Sequence, residues 1–493
     1  MKTTSFALAC VALLSSAFAN SNLTKPLTSR HILPTNFKPP QVFQHENVVQ
    51  TVNLEKSYPR ITIGAVVLNV DTQPQNVYYM PFESDLMSRI GGFEVRDKQD
   101  ASKGPFAVDV AEYDTESSTQ FYRITFPSPL APKSKQTLQI TYTVLSALNP
   151  LPSTIEQMSQ QFVQYTFSPY IPSAYNTLKQ KTKVKFPTAQ IPDYTILPSP
   201  NADGAEDPAR QGSTFTYGPY KDVPAGSIEP VSVRYEFTKP LMHASLLERD
   251  IEVSHWGGNL ATEERYWLGN RAAQLKNHFS RVQWQMSAYS NPPTTALKDM
   301  RLPLKVGSMN PYFTDDIGNV STSRFRSGRQ EALLEIKPRY PVFGGWKYSF
   351  RIGWDANLKN FLRKLKATDG YVLQVPFMEG PKINEGIEFE RLAVRVVLPE
   401  GAKNIKFETS APIVASSIDL HRTFMDTVGR PTLKLTALNV VDEWNSHLLT
   451  VTYDYPWSAG YRKPLTITSA VLAVFVAVYL VGTLDVSIGK KKK

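Results

Sequence analysis

FPSPLAPKSKQTLQITYTV, residues 126–144, and KPRYPVFGGWKYSFRIGWD, residues 337–355, follow one plan, a proline-rich turn and then a run of aromatic and β-branched residues. The segments after them keep step. TKVKFP, ending at Pro187, is matched by VRVVLP, ending at Pro399, at an offset of about 212 residues. VSVRYEFTKPL from Val231 is matched by LTVTYDYPWSAGYRKPL from Leu449, about six residues further apart. Order and spacing held together predict a duplicated β-rich unit, because strands alike by chance would fix neither.

Outward from this pair, most of the chain reads as strands. ITIGAVVLNV (61–70), NVYYMPF (76–82), QFYRITF (120–126), QTLQITYTVL (136–145), TKVKFP (182–187) and VSVRYEF (231–237) are rich in Val, Ile, Thr and Tyr and are divided by Pro, Gly and Ser. With 37 prolines, long helices are expected to be few; the candidates are Thr262–Leu275, Asn357–Lys366 and Leu151–Gln161. NADGAEDPARQGST (201–214) reads as a surface loop. The fold class that follows is mainly β, with two tandem, sandwich-like domains over 20–239 and 240–464 and one C-terminal helix.

Both ends point to a membrane. MKTTSFALACVALLSSAFA has an early lysine, an apolar run and small residues at its end, the pattern of a secretory signal cut between Ala19 and Asn20. LTITSAVLAVFVAVYLVGTL, residues 465–484, carries no charge, and at roughly 1.5 Å per residue it is long enough for a bilayer core of roughly 30 Å. A single span after a cleaved signal puts residues 20–464 in the lumen and only 485–493 in the cytosol, where four lysines obey the positive-inside rule. Lys490 and Lys491 also fit a dilysine retrieval signal of the endoplasmic reticulum. Ser469, Ala473 and Ala477 recur every four residues, a stripe of small side chains that another membrane helix can approach.

Composition narrows the function. The formal charge of +10 falls to about +6 once Lys2, the tail lysines and Asp485 are set aside. No basic block interleaved with aromatics remains, so nucleic acid is not an expected partner. The single cysteine, Cys10, lies in the signal, so the mature chain forms no disulfide and relies on burial.

The chemistry-bearing stretch is SHWGGNLATEERYWLGNRAAQLKNHFSR, residues 254–281. His255 with Glu263 and Glu264 is the raw material of an acid/base or metal-assisted hydrolase. The partners such a site needs are missing from the pattern. No two of the seven histidines lie within four residues of each other, so H-E-x-x-H is absent. There is no G-x-S-x-G, and the pairs Gly91–Gly92, Gly257–Gly258 and Gly344–Gly345 suit turns rather than phosphate loops. The reading preferred here is a rigid corner or interface. Trp256 precedes a reversal at Gly257, Thr262 caps a helix, and Glu263 and Glu264 occupy its first turn. Sequons occur at Asn22 and Asn319, the latter in the polar loop DDIGNVSTS.

EVSHWGGNLATEE (252–264), DDIGNVSTS (315–323), IKPRYPVFGGWK (336–347), VVLPEGAKNIKF (396–407) and FMDTVGRP (424–431) together resemble the ribophorin I family, the first subunit of the oligosaccharyltransferase complex. The first half is similar more loosely, through VYYMPF (77–82) and the strand pattern. The resemblance implies a non-catalytic type I subunit, without cofactor or metal, of a complex that moves a preassembled oligosaccharide from dolichol diphosphate to asparagine in nascent chains. It implies as partners the other subunits, among them a multi-spanning catalytic one with a W-W-D-Y-G signature that this chain lacks, and nascent polypeptides indirectly. Longer family members carry a cytosolic domain where this chain has nine residues, which puts direct ribosome binding in doubt. Two other classes stay open on the residues alone: a membrane-anchored hydrolase using His255 with Glu263 or Glu264, and a β-domain adhesion or receptor protein.

Overall fold

The computed structural model describes residues 31–33, 37–100, 104–112, 118–198, 207–290, 292–366, 369–423 and 426–484. The signal, Ala19, Asn20, Asn22, Lys490, Lys491 and residues 201–206 lie outside them; the rest of the 201–214 stretch, expected as a surface loop, includes the exposed edge strand Ala209–Gln211.

Alternation builds the strands. In Arg60–Asn69 the side chains of Ile61, Ile63, Ala65 and Val67 turn inward and their neighbours outward, the period of two that one buried sheet face requires. All six segments read as strands from the sequence are strands here, within a few residues at each end.

Two large sheets dominate. The first runs Ala209–Gln211, Thr214–Val223, Thr177–Lys185, Phe43–Asn53, Arg60–Asn69, Lys135–Val144, Ile90–Asp97. The second runs Ala415–His421, Arg430–Val441, Ile387–Val397, Met242–Ser254, Asn259–Asn270, Lys347–Asn357, Met309–Asp315, ending on Gly318–Asn319. Strand for strand the two follow one order. Each has a single parallel pair, Phe43–Asn53 with Thr177–Lys185 and Met242–Ser254 with Ile387–Val397, amid antiparallel neighbours. Each first strand carries a register shift at the same point, between His45 and Asn47 and between Ala244 and Leu246. The smaller sheets correspond too. VSVRYE (231–236) lies between Phe162–Phe167 and Asp193–Tyr194, and LLTVTYD (448–454) between Gly370–Pro376 and Lys403–Thr409.

The expected helices are corrected by tertiary pairing. Thr262–Leu275 is mostly strand, since Asn259–Asn270 is hydrogen-bonded on both sides and turns Leu260, Thr262, Glu264, Tyr266 and Leu268 inward. Thr262 therefore caps nothing. Asn357–Lys366 holds only a 3-10 turn at Leu358–Asn360, capped by the Asn357 side chain, before the strand Leu362–Lys364. Leu151–Gln161 forms a two-residue strand, Thr154–Ile155, paired with Gln274–Leu275. The short helices Ser84–Ser88 and Trp457–Gly460 were not anticipated, nor was Arg281–Ser290, whose Trp284 packs its ring 5.5 Å from that of Phe343.

The halves meet along a polar seam. Gly91 lies so close to the second half that a Cβ there would sit 1.9 Å from the Asn439 carbonyl oxygen. The Asn439 side chain donates to the carbonyls of Ser88 and Ile90 at 2.7 and 3.0 Å. Tyr58 donates to Asp442 at 2.7 Å, and Arg60 pairs with Glu443 at 2.8 Å.

Arg462–Thr483 is the one helix among the described residues that is long and apolar enough to cross a membrane; its mean hydropathy is 2.3 and none of its residues is fully buried. Ser469, Ala473 and Ala477 lie on it, exposed. Its first turn is fastened to the second half, where Lys463 reaches the carboxylate of Asp426 at 3.1 Å and Arg430 reaches it at 3.3 Å. Burial opposes ionisation of Asp426, but hydrogen bonds from Thr423 and Lys463 and the charge of Arg430 outweigh it and hold the carboxyl down at about 2.

Candidate functional site

His255 stands in the reversal that joins Met242–Ser254 to Asn259–Asn270. Gly258 there has φ +62, a conformation side chains disfavour, and the Gly257 N–H donates to Ser254 Oγ at 3.1 Å. Trp256 is thrown outward and is 70% exposed. The imidazole turns inward instead. Its Nε2 lies 2.7 Å from the Tyr453 hydroxyl, and the rings of Tyr455 and Tyr371 stand 4.5 and 4.7 Å away, centre to centre. Burial lowers its pKa to about 4, so the ring is neutral at pH 7.

The two glutamates are not with it. Ser254 pairs with Asn259, Asp250 with Glu263 and Arg249 with Glu264, so both carboxylates sit four or five rungs from the turn, roughly 15 Å along the strand. Being consecutive on a strand, they also face opposite ways. Glu263 looks outward, accepts from the Tyr312 hydroxyl at 2.5 Å and pairs with Arg351 at 3.2 Å. Glu264 is fully buried. It is ion-paired with the guanidinium of Arg249 and accepts from the Tyr266 hydroxyl at 2.5 Å. Arg249 also donates to Glu379 at 2.9 Å, and its guanidinium lies 5.9 Å from the Trp354 ring. Burial pushes the Glu379 carboxyl up, against the pull of Arg249.

The contacts of Glu264 are those of a buried ion pair. A carboxylate that is fully buried and held by an arginine and a tyrosine is out of reach of a substrate, and His255 is too far away to share a proton with it. Among the described residues no group of three or more His, Cys, Asp or Glu side chains is placed to hold a metal ion. Of the five residues expected at one corner, His255, Trp256 and Gly257 stand in the reversal, while Glu263 and Glu264 lie mid-strand, on either face of the sheet.

Asn319 ends a tight hairpin in which it pairs with Thr314. It is exposed while Val320 is buried, and its carbonyl accepts from Arg339 at 2.9 Å. The side chain is open to solvent on the outer edge of the second sheet.

Sequence reasoning missed Arg249, the partner of Glu264, and Glu379, the second carboxylate that Arg249 holds. A signal existed for Arg249. In MHASLLERDIEVS it falls on the inward phase with Leu247, Ile251 and Val253, and an inward-facing arginine demands a buried acid. Glu379 lies in a loop far along the chain, where no periodicity points to it.

The family model described as Ribophorin I matches residues 43–482. Dolichyl-diphosphooligosaccharide–protein glycosyltransferase subunit 1 of Schizosaccharomyces pombe is 30% identical over 443 residues, 90% of this chain and 95% of that protein. The protein of the same name from Caenorhabditis elegans is 33% identical over 90% of this chain and 72% of its own. Subunit 1A from Arabidopsis thaliana is 32% identical over 90% and 70%. Among solved structures, an M1 zinc metallopeptidase from Deinococcus radiodurans aligns over 43% of this chain and 42% of its own at 12% identity, with a TM-score of 0.25. At that score the likeness bears on neither fold nor chemistry. Full-length similarity to several subunits 1, over both halves and the apolar helix, establishes that the chain belongs to the ribophorin I family.

Proposed function

We propose that this chain is a non-catalytic subunit of an oligosaccharyltransferase complex of the endoplasmic reticulum membrane, anchored by Arg462–Thr483 with its β-rich halves in the lumen. The observation that carries the reading is the match to subunit 1 of three organisms over 90% of the chain. The separation of His255 from Glu263 and Glu264 favours a scaffolding role over hydrolysis. The chain stabilises the complex and holds acceptor polypeptides near a multi-spanning catalytic subunit. Its halves, 20–239 and 240–464, descend from one duplicated unit, which the shared strand order supports. Asn319 carries a glycan, Lys490 and Lys491 act in retrieval, and the stripe of Ser469, Ala473 and Ala477 packs on a partner helix.

Depletion of the chain tests this. Occupancy of Asn-x-Ser/Thr sites on secreted reporters should fall and be restored by His255→Ala and Glu263→Gln variants that still assemble. Unchanged occupancy, or rescue that depends on an intact His255 or Glu263 in assembled protein, would refute it.

A further inference from the structure

The first half contains a cavity of about 540 Å³ between its large sheet, the Gln75–Glu83 edge and the Asn149–Pro150/Phe162–Phe167 hairpin. Its size is that of a ligand cleft. Three observations specify a guest.

Gln50 lines the cavity, is only 4% exposed, and its Oε1 has no hydrogen-bond partner among the described residues. A buried carbonyl left without a donor is destabilising, so a turn of the Gln50 amide toward the cavity, where an N–H or O–H can meet it, is favoured. The second half shows what the same place looks like when closed. Gln50 and Arg249 each lie three residues past the register shift of their strand. Opposite Arg249 stands Glu264, which satisfies it; opposite Gln50 stands Ile63, which cannot.

The hairpin supplies an open strand edge. Leu151 N–H donates to the Phe162 carbonyl, and Asn149 pairs with Gln164, so even-numbered residues of Phe162–Phe167 direct their backbone groups to that side. The short strand ends at Asn149. Thr166, the next even-numbered residue, therefore turns its N–H and C=O into the cavity it lines, beyond the last rung. An edge of this kind pairs with another strand.

The walls supply apolar and aromatic surface without a net charge. Tyr142, Tyr165 and Phe167 line the cavity, with Phe167 stacked on Tyr165 at 5.4 Å, and Ile228 stands at the rim, 59% exposed. Arg89 and Glu83 contribute one charge of each sign.

From these we propose that the cavity is a binding site for an extended, uncharged polypeptide segment, which adds to the strand edge at Thr166, donates a hydrogen bond to Gln50 Oε1 and lays a side chain against Tyr142 and Tyr165. The site deepens the polypeptide-holding role above and rests on it only for the source of the guest. Binding to the isolated chain is independent of whether the chain assembles with a transferase.

The test uses the full-length chain in detergent and the heptapeptide GTVYTVG carrying an amino-terminal fluorescein, read by anisotropy. Saturable binding is expected, weakened about tenfold by Gln50→Leu and abolished when alternate peptide nitrogens are methylated. Ile228→Lys, at an exposed position that leaves the core untouched, should weaken binding severalfold, and it decides the matter if Gln50→Leu does not fold. Absence of binding to the unaltered chain, equal binding of the N-methylated peptide, or an unchanged affinity in Ile228→Lys with Gln50→Leu no weaker would overturn the proposal. Saturable binding of mannotriose in place of the peptide would assign the cavity to carbohydrate instead.

Discussion

Gln50 and Arg249 occupy the same position in two sheets of the same strand order, one with an orphaned amide oxygen beside a cavity and the other locked between the buried Glu264 and the partly exposed Glu379. Arg249→Met removes the cation that bridges that pair of carboxylates. Breaking a buried ion pair on one side costs roughly 3–5 kcal/mol, so urea denaturation at pH 7 should show a large loss. The loss should be smaller at pH 5 than at pH 7, because burial raises the Glu379 carboxyl, the variant lacks the opposing pull of Arg249, and protonation removes the uncompensated charge. Equal losses at both pH values would mean that Arg249 acts by packing alone.

The seam between the halves carries its own pH dependence. Glu388 is buried, accepts from the Ser146 N–H across the seam at 3.1 Å and pairs with Arg271 at 3.1 Å. Burial pushes its carboxyl from 4.5 up to about 7, against the opposing pull of Arg271. The folded chain therefore binds this proton more tightly than the unfolded chain does. Stability from this group is complete below about 4.5 and is lost as pH rises through about 7, a change on the order of 3 kcal/mol. Glu388→Gln should flatten this part of the stability profile between those limits. A profile identical to that of the unaltered chain would remove Glu388 from the account.

His255 acts as a packed, neutral ring. Its pKa of about 4 lies below the ordinary 6.5, so its contribution is present above 6.5 and lost as pH falls through 4. The imidazole resonances should stay put in NMR spectra from pH 8 to roughly 5. His255→Ala leaves a hole among Tyr371, Tyr453 and Tyr455 and orphans a hydroxyl, at a cost of roughly 2–3 kcal/mol. A ring that titrates near 6.5 would contradict this.

Asn319→Gln should raise electrophoretic mobility by the mass of one glycan, and endoglycosidase treatment of the unaltered chain should reproduce the shift. A variant that migrates as the parent does would show that the sequon is unoccupied.

The strands were legible because their cause is local. Alternation in ITIGAVVLNV and VSVRYEF is written residue by residue, and the echo of TKVKFP in VRVVLP tracks the parallel partner of each half's first strand. The stretch after Gly258 misled because Glu263, Glu264 and the later Ala272–Ala273 suit a helix, while the neighbours that make it a strand, Met242–Ser254 and Lys347–Asn357, include one almost ninety residues away. The same distance hid Glu379, the second carboxylate on Arg249, which a remote loop contributes. The cavity beside Gln50 was invisible for a related reason. A glutamine on an inward phase shows that an amide is buried, but only the assembled sheets show that nothing meets it.

Recovery of the tagged full-length chain from cells in a mild detergent, followed by determination of what travels with it, tests the central claim most directly. The account predicts a stoichiometric assembly that contains a multi-spanning protein with transferase activity, while the chain stripped from it transfers no oligosaccharide. Recovery of the chain alone, or transferase activity in the stripped chain, would contradict it.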